Sequence, residues 1–165
     1  KPRILLFLAG TQILGPGLLV NGILKEYWGR ARPRQTDLFG GRNAFSSPWQ
    51  IADGCQNNCS FVSGEASSSF WLIAFVFVVP AKWRLKVLAL ALIVASLLSA
   101  LRVAFGGHYL SDVLIAWGLT LIVILILRHV VLIAPGPAFD DSIEARLAAI
   151  GTAITSPFKR SADKR

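Results

Sequence analysis

The stretch LKVLALALIVASLLSALRVAFGGHYLSDVLIAWGLTLIVILILRHVVLIA, from Leu85 to Ala134, decides what kind of protein this is. Two apolar runs, Leu85 to Phe105 and Tyr109 to Ala134, flank Gly106-Gly107. Each is long enough for a helix, rising about 1.5 Å per residue, to cross a hydrocarbon core of about 30 Å. Neither alternates polar with apolar residues, and only helices or closed barrels satisfy every backbone group in lipid, so both runs are expected to be helices. Working outward, two more apolar runs appear. Ile4 to Leu24 is interrupted by Gly15-Pro16-Gly17 and softened by Gln12 and Asn21, which predicts a kink. Gly64 to Val79 is shorter, opens on a hydroxyl-rich turn (Ala66, Ser67, Ser68, Ser69) and stops at Pro80. The expected fold is an all-α integral membrane helical bundle with four transmembrane helices.

Composition supports this. Of 165 residues, 54% are hydrophobic and 16% charged, a balance that argues against a cytosolic globular domain and against disorder. The chain contains no methionine, which predicts that Lys1 is an internal point of a longer protein. Lys and Arg outnumber Asp and Glu by 17 to 9, suggesting anionic partners. The cations sit in short clusters between apolar runs, as charges beside a membrane do, and not along one stripe; no nucleic acid is expected. Lys82, Arg84 and Lys86 crowd the turn between the second and third runs and mark a cytoplasmic loop, with Lys1 and Arg3 on the same side. Residues 1–139 form the membrane core. Residues 140–165 read as a cytoplasmic amphipathic helix (Ile143, Leu147, Ile150, Ile154 on one stripe) and basic tail.

If the bundle is antiparallel, the other rim collects Lys25, Arg32, Ser63, Glu65, Arg102, His108 and Asp112. Ionisable groups at membrane depth are costly, so their convergence marks a functional site. Lys25, Arg32 and Arg102 can surround a phosphoryl group; Ser63 and Gly64, opening a helix, add a hydroxyl and N–H donors. His108 and Asp112 are four apart, hence on one helical face, where a carboxylate would fix the imidazole tautomer and free the other nitrogen for attack on phosphorus. Arg30, Arg34 and Arg42 are either contacts for a second phosphate or solvated loop charges. Cys55 and Cys59, in the outer loop, are either a disulfide or two free thiols. Trp28, Trp49 and Trp83 read as interface anchors.

Lys25 with Arg32-Pro33, then Ser63-Gly64, then Arg102, His108 and Asp112, resembles the tripartite signature of the type 2 phosphatidic acid phosphatase (PAP2) superfamily, related to the vanadium haloperoxidases. The resemblance implies a lipid phosphatase that needs no metal or cofactor, with six membrane helices of which this chain supplies the last four. It implies that Lys25, Arg32 and Arg102 bind phosphate, that Ser63 and Gly64 line the pocket, that His108 is the nucleophile and that Asp112 orients it. The expected partners are the bilayer and a membrane lipid phosphate or polyprenyl diphosphate. The expected location is a bacterial inner membrane, with the site facing the periplasm or cell exterior.

Two positions depart from that signature. Leu101 stands where the family usually has Ser, and Glu65 stands where it has the His that protonates the departing oxygen. Glu65 is a substitute acid, a helix-start carboxylate of a weakened variant, or an engineered inactivating change. Phosphatidic acid, phosphatidylglycerol phosphate, lipid A and undecaprenyl diphosphate are all candidate substrates. A phosphotransferase sharing the intermediate and a non-catalytic phospholipid-binding variant are the alternative functions.

Overall fold

The computed structural model describes residues 2–136 together with 139, 141, 142, 145, 146 and 149. Four helices make the bundle: α1, Pro2–Tyr27; α2, Gly64–Phe77; α3, Ala81–Ala104; and α4, Leu110–Ile133. Among the described residues there is no strand beyond a single bridge between Thr36 and Asn43 in the α1–α2 loop. The all-α expectation is met. Three helices, α1, α3 and α4, are long and apolar enough to cross a membrane, rather than four. α2 has 14 residues and is too short by length alone; its second half, Trp71–Phe77, is wound as a 3₁₀ helix. The amphipathic tail expected beyond residue 140 falls mostly outside the described residues.

The kink expected in α1 takes a different form. Over Ile13–Leu24 the helix widens into π turns that carry Pro16 inside them. Proline has no N–H to donate, which favours the widened winding; its own carbonyl accepts from the Asn21 side-chain amide at 2.7 Å.

α2 is the hub. Ser67 meets Thr120 of α4 across 2.6 Å, the Trp71 indole donates to Thr11 of α1 at 2.8 Å, and Phe70 and Ile73 pack on Ala91 and Ala95 of α3. Gly64 gives Asn21 room at the start of α2: a Cβ there would lie 2.3 Å from Asn21 Oδ1 and would have to displace the amide that holds the Pro16 carbonyl. A core of Val20, Phe61, Val62, Ala66, Val113 and Ala116 closes the bundle near that end. At the other end Arg3 donates to the carbonyls of Pro135 (3.2 Å) and Gly136 (2.5 Å), so the start of α1 and the end of α4 lie together. The chain therefore runs up and down, and the ends carrying Lys25, Gly64, Arg102 and His108 share one rim.

Candidate active site

α3 ends where Gly107 and His108 donate their N–H groups to the Arg102 carbonyl, at 2.9 and 3.3 Å. Gly106 makes this reversal with φ +61°, a left-handed conformation that side chains with a Cβ disfavour, and its missing Cβ lets Arg34 approach. The turn delivers His108 just before α4, fully buried. Its Nδ1 lies 2.7 Å from the Ser60 carbonyl. A carbonyl only accepts, so Nδ1 carries the proton, and in the neutral ring the lone pair sits on Nε2. Nε2 has no hydrogen-bond partner and faces Glu65 Oε2 at 3.4 Å.

Glu65 stands in the first turn of α2. Its other oxygen pairs with Arg102 Nη2 at 2.5 Å, both side chains being part-exposed. Ser63 caps the same helix, accepting the Ala66 N–H at 3.3 Å, and is itself held by its own N–H to the Asp112 carbonyl. Lys25 is buried within the electrostatic reach of Glu65, Arg32 and Arg102. Arg32 is anchored from outside by the Asn58 carbonyl (2.8 Å) and side-chain oxygen (3.0 Å), in the loop closed by a Cys55–Cys59 disulfide. Partial burial, then the charge of Arg34, pushes the Arg32 guanidinium below its ordinary value; Arg102 adds to this and Glu65 opposes it. An anion among these cations would relieve that repulsion.

Asp112 does not do what its spacing suggests. His108 precedes α4, so the two residues do not share a helical face, and no hydrogen bond joins the carboxylate to the ring. Asp112 is instead buried among Arg30, the Ser60 hydroxyl (2.6 Å) and the Tyr109 N–H (3.2 Å). It reaches the imidazole one residue removed, through Ser60, whose hydroxyl it binds and whose carbonyl holds Nδ1.

Arg30 and Ser60 are the residues that sequence reading missed. Arg30, taken for a loop charge or a phosphate contact, is 1% exposed. It ion-pairs with Asp112, donates to the Ser46 carbonyl (2.9 Å) and Ser111 hydroxyl (3.1 Å), and lies over the Tyr109 ring at 4.0 Å. No pattern in the chain distinguishes it from Arg34. Trp28 is likewise a packing residue, stacked on Phe61 at 4.4 Å with its indole donating to the Pro48 carbonyl, whereas Trp49 is exposed. Among the described residues no group of three His, Cys, Asp or Glu side chains is placed to hold a metal ion.

A helical membrane bundle that presents a buried imidazole to a rim of cations defines the class of protein. The chain belongs to the PAP2 superfamily, which it matches over residues 3–134. It is 49% identical to a lipid A 4'-phosphatase of Rhizobium leguminosarum over 114 residues, 69% of this chain and 49% of that protein. A lipid A 4'-phosphatase of Rhizobium etli is 47% identical over 114 residues (69% and 44%), and one of Francisella tularensis subsp. novicida is 40% identical over 112 residues (67% and 50%). The chain spans about half the length of the curated relatives it matches. No solved structure matches it.

Proposed function

We propose that this chain carries the active site of a bacterial membrane lipid phosphatase that hydrolyses a phosphate monoester through a phosphohistidine on His108. The observation that carries the reading is the imidazole: Nδ1 is committed to the Ser60 carbonyl while Nε2 faces Glu65 Oε2 at 3.4 Å, the carboxylate that pairs with Arg102. The names of the relatives support lipid A, at its 4'-phosphate, as the substrate ahead of phosphatidic acid, phosphatidylglycerol phosphate and polyprenyl diphosphates.

The substrate phosphate displaces the Glu65 carboxylate from Arg102 and is held by Lys25, Arg32 and Arg102, with Ser63 and Gly64 lining the pocket. The Nε2 lone pair attacks phosphorus, and the bond from phosphorus to the lipid oxygen breaks. Glu65, which on leaving Arg102 takes the proton that the bound phosphate monoester monoanion gives up, passes it to that departing oxygen. It then draws a proton from the water that cleaves the phosphorus–nitrogen bond, releasing phosphate and restoring the ring. Asp112, with Arg30, is a positioning pair that acts through Ser60.

In this reading α2, lengthened by its 3₁₀ half, makes a fourth crossing. Lys82, Arg84, Lys86 and Arg128 mark the cytoplasmic face, with residues 140–165 as a tail there, and the site opens to the periplasm.

The test is phosphate release by the full-length protein from purified lipid A. His108→Ala should lower kcat by at least about 10³-fold. Acid-quenched turnover should lack, and base-quenched turnover should retain, a phosphorylated protein, since the phosphorus–nitrogen bond is acid-labile. Full turnover in His108→Ala would end the proposal.

A further inference from the structure

Three arginines of the α1–α2 loop, Arg30, Arg34 and Arg42, look alike in sequence and lie in three different places. Arg30 is buried against Asp112. Arg42 lines a cavity of about 810 Å³ walled by residues 42–46 and 50–54 of the loop itself. Arg34 lines the cavity of about 520 Å³ that also holds His108, and the two cavities share no lining residue. The backbone fixes Arg34 there. Its N–H donates to the Gly106 carbonyl at 3.2 Å, and a Cβ on Gly106 would lie only 3.1 Å from the Arg34 Cβ, so the loop is laid against the turn that delivers His108.

Arg34 is exposed and its guanidinium is uncommitted. Arg30 is tied to Asp112, Arg32 to Asn58 and Arg102 to Glu65, whereas the Arg34 side chain makes no hydrogen bond or ion pair among the described residues. Its charge is nonetheless felt in the site: of the charged groups acting on Arg32, Arg34 comes first, ahead of Glu65 and Arg102. Lys25, Arg32, Arg34 and Arg102 thus stand against two carboxylates, Glu65 and, beside Lys25, Glu26. A bound monoester dianion that has given its proton to Glu65 offsets two of these cations, and Glu26 a third. One positive charge is left over at the rim, and Arg34 is the arginine without a partner.

We infer that Arg34 is a specificity-determining residue, which takes a second anionic group, phosphate or carboxylate, carried next to the phosphate that His108 attacks. The inference rests on the lipid phosphatase reading and adds which lipid phosphates the site prefers: those with a further negative group beside the first, over simple monoesters. The shared cavity argues that the group belongs to the same molecule that brings the phosphate. A planar fork of N–H donors can hold two oxygens of either group at once.

The experiment is calorimetric titration of the full-length protein in detergent with methylphosphonate, methylenediphosphonate and phosphonoacetate, whose phosphorus–carbon bonds the site does not hydrolyse. The last two add a phosphoryl or a carboxyl group beside the first phosphoryl. At least one of them should bind the wild type about tenfold or more tightly than methylphosphonate, and Arg34→Gln should lower that preference about tenfold. A preference confined to methylenediphosphonate assigns the subsite to a second phosphate; one confined to phosphonoacetate assigns it to a carboxylate. Arg34→Lys, which keeps the charge and loses the fork, should lower the preference about threefold and decides the matter if Arg34→Gln does not fold. Arg42→Gln removes the same charge from the same loop, outside the His108 cavity, and should change the preference less than about twofold. No preference in the wild type, or an unchanged one in the folded Arg34 variants, overturns the inference. An equal loss in Arg42→Gln overturns it too, because net charge alone would then account for the binding. Binding is read without turnover, so an Arg34-dependent preference in a protein that releases no phosphate from lipid A would remove the phosphatase and keep the subsite; release without that preference would do the reverse.

Discussion

Asp112 and Glu65 each pair with an arginine near the same imidazole, and the two pairs differ in everything else. The Asp112–Arg30 pair has side chains at most 2% exposed, and every neighbour is engaged: the Ser60 hydroxyl, the Tyr109 N–H, the Ser46 carbonyl and the Ser111 hydroxyl. The Glu65–Arg102 pair is 44% and 36% exposed; beside it Arg102 Nε and His108 Nε2 make no hydrogen bond, the latter lying 3.4 Å from Glu65 Oε2. A closed network in a dry interior is expensive to open, because removing one member strands a buried charge. An exposed pair contributes little and is readily exchanged for another anion. One arginine–carboxylate pair is therefore built to hold the backbone that holds the imidazole, and the other to give way.

That contrast can be broken by substitution. Arg30→Met leaves the buried Asp112 without its counter-charge, and should destabilise the fold by about 3–5 kcal/mol, read as loss of thermal stability in detergent. Ser60→Ala removes one donor to Asp112 but keeps the carbonyl on His108 Nδ1; a loss of about 1–3 kcal/mol is expected, with turnover falling less than in Arg30→Met. Glu65→Gln should change stability by less than about 1 kcal/mol, yet slow hydrolysis. If Glu65 supplies the proton, that slowing should be large for a lipid whose alkoxide is a poor leaving group and small for an activated aryl phosphate; equal slowing on both would remove Glu65 from proton transfer. A destabilisation in Glu65→Gln equal to that of Arg30→Met would erase the distinction between the pairs. The smallest effect belongs to Arg32: reducing the Cys55–Cys59 bond loosens the Asn58 anchor and should raise KM about twofold with kcat kept.

Residue order alone was enough to place the helices, their antiparallel course, and Lys25, Ser63, Glu65, Arg102 and His108 at one rim. Length and apolarity decide where a segment can lie in a bilayer, and both are local properties of the chain. It also showed Glu65 as the unusual residue, without showing what it touches. The π winding around Pro16, the shortness of α2, the Arg30–Asp112 pair 82 residues apart, the Ser60 carbonyl on His108 48 residues away, and the place of Arg34 in the His108 cavity appear only once the helices are packed. Each depends on a distance between side chains or backbone groups from remote segments. A hydrogen bond fails within a few tenths of an ångström, whereas sequence spacing assigns a residue only to a turn of helix.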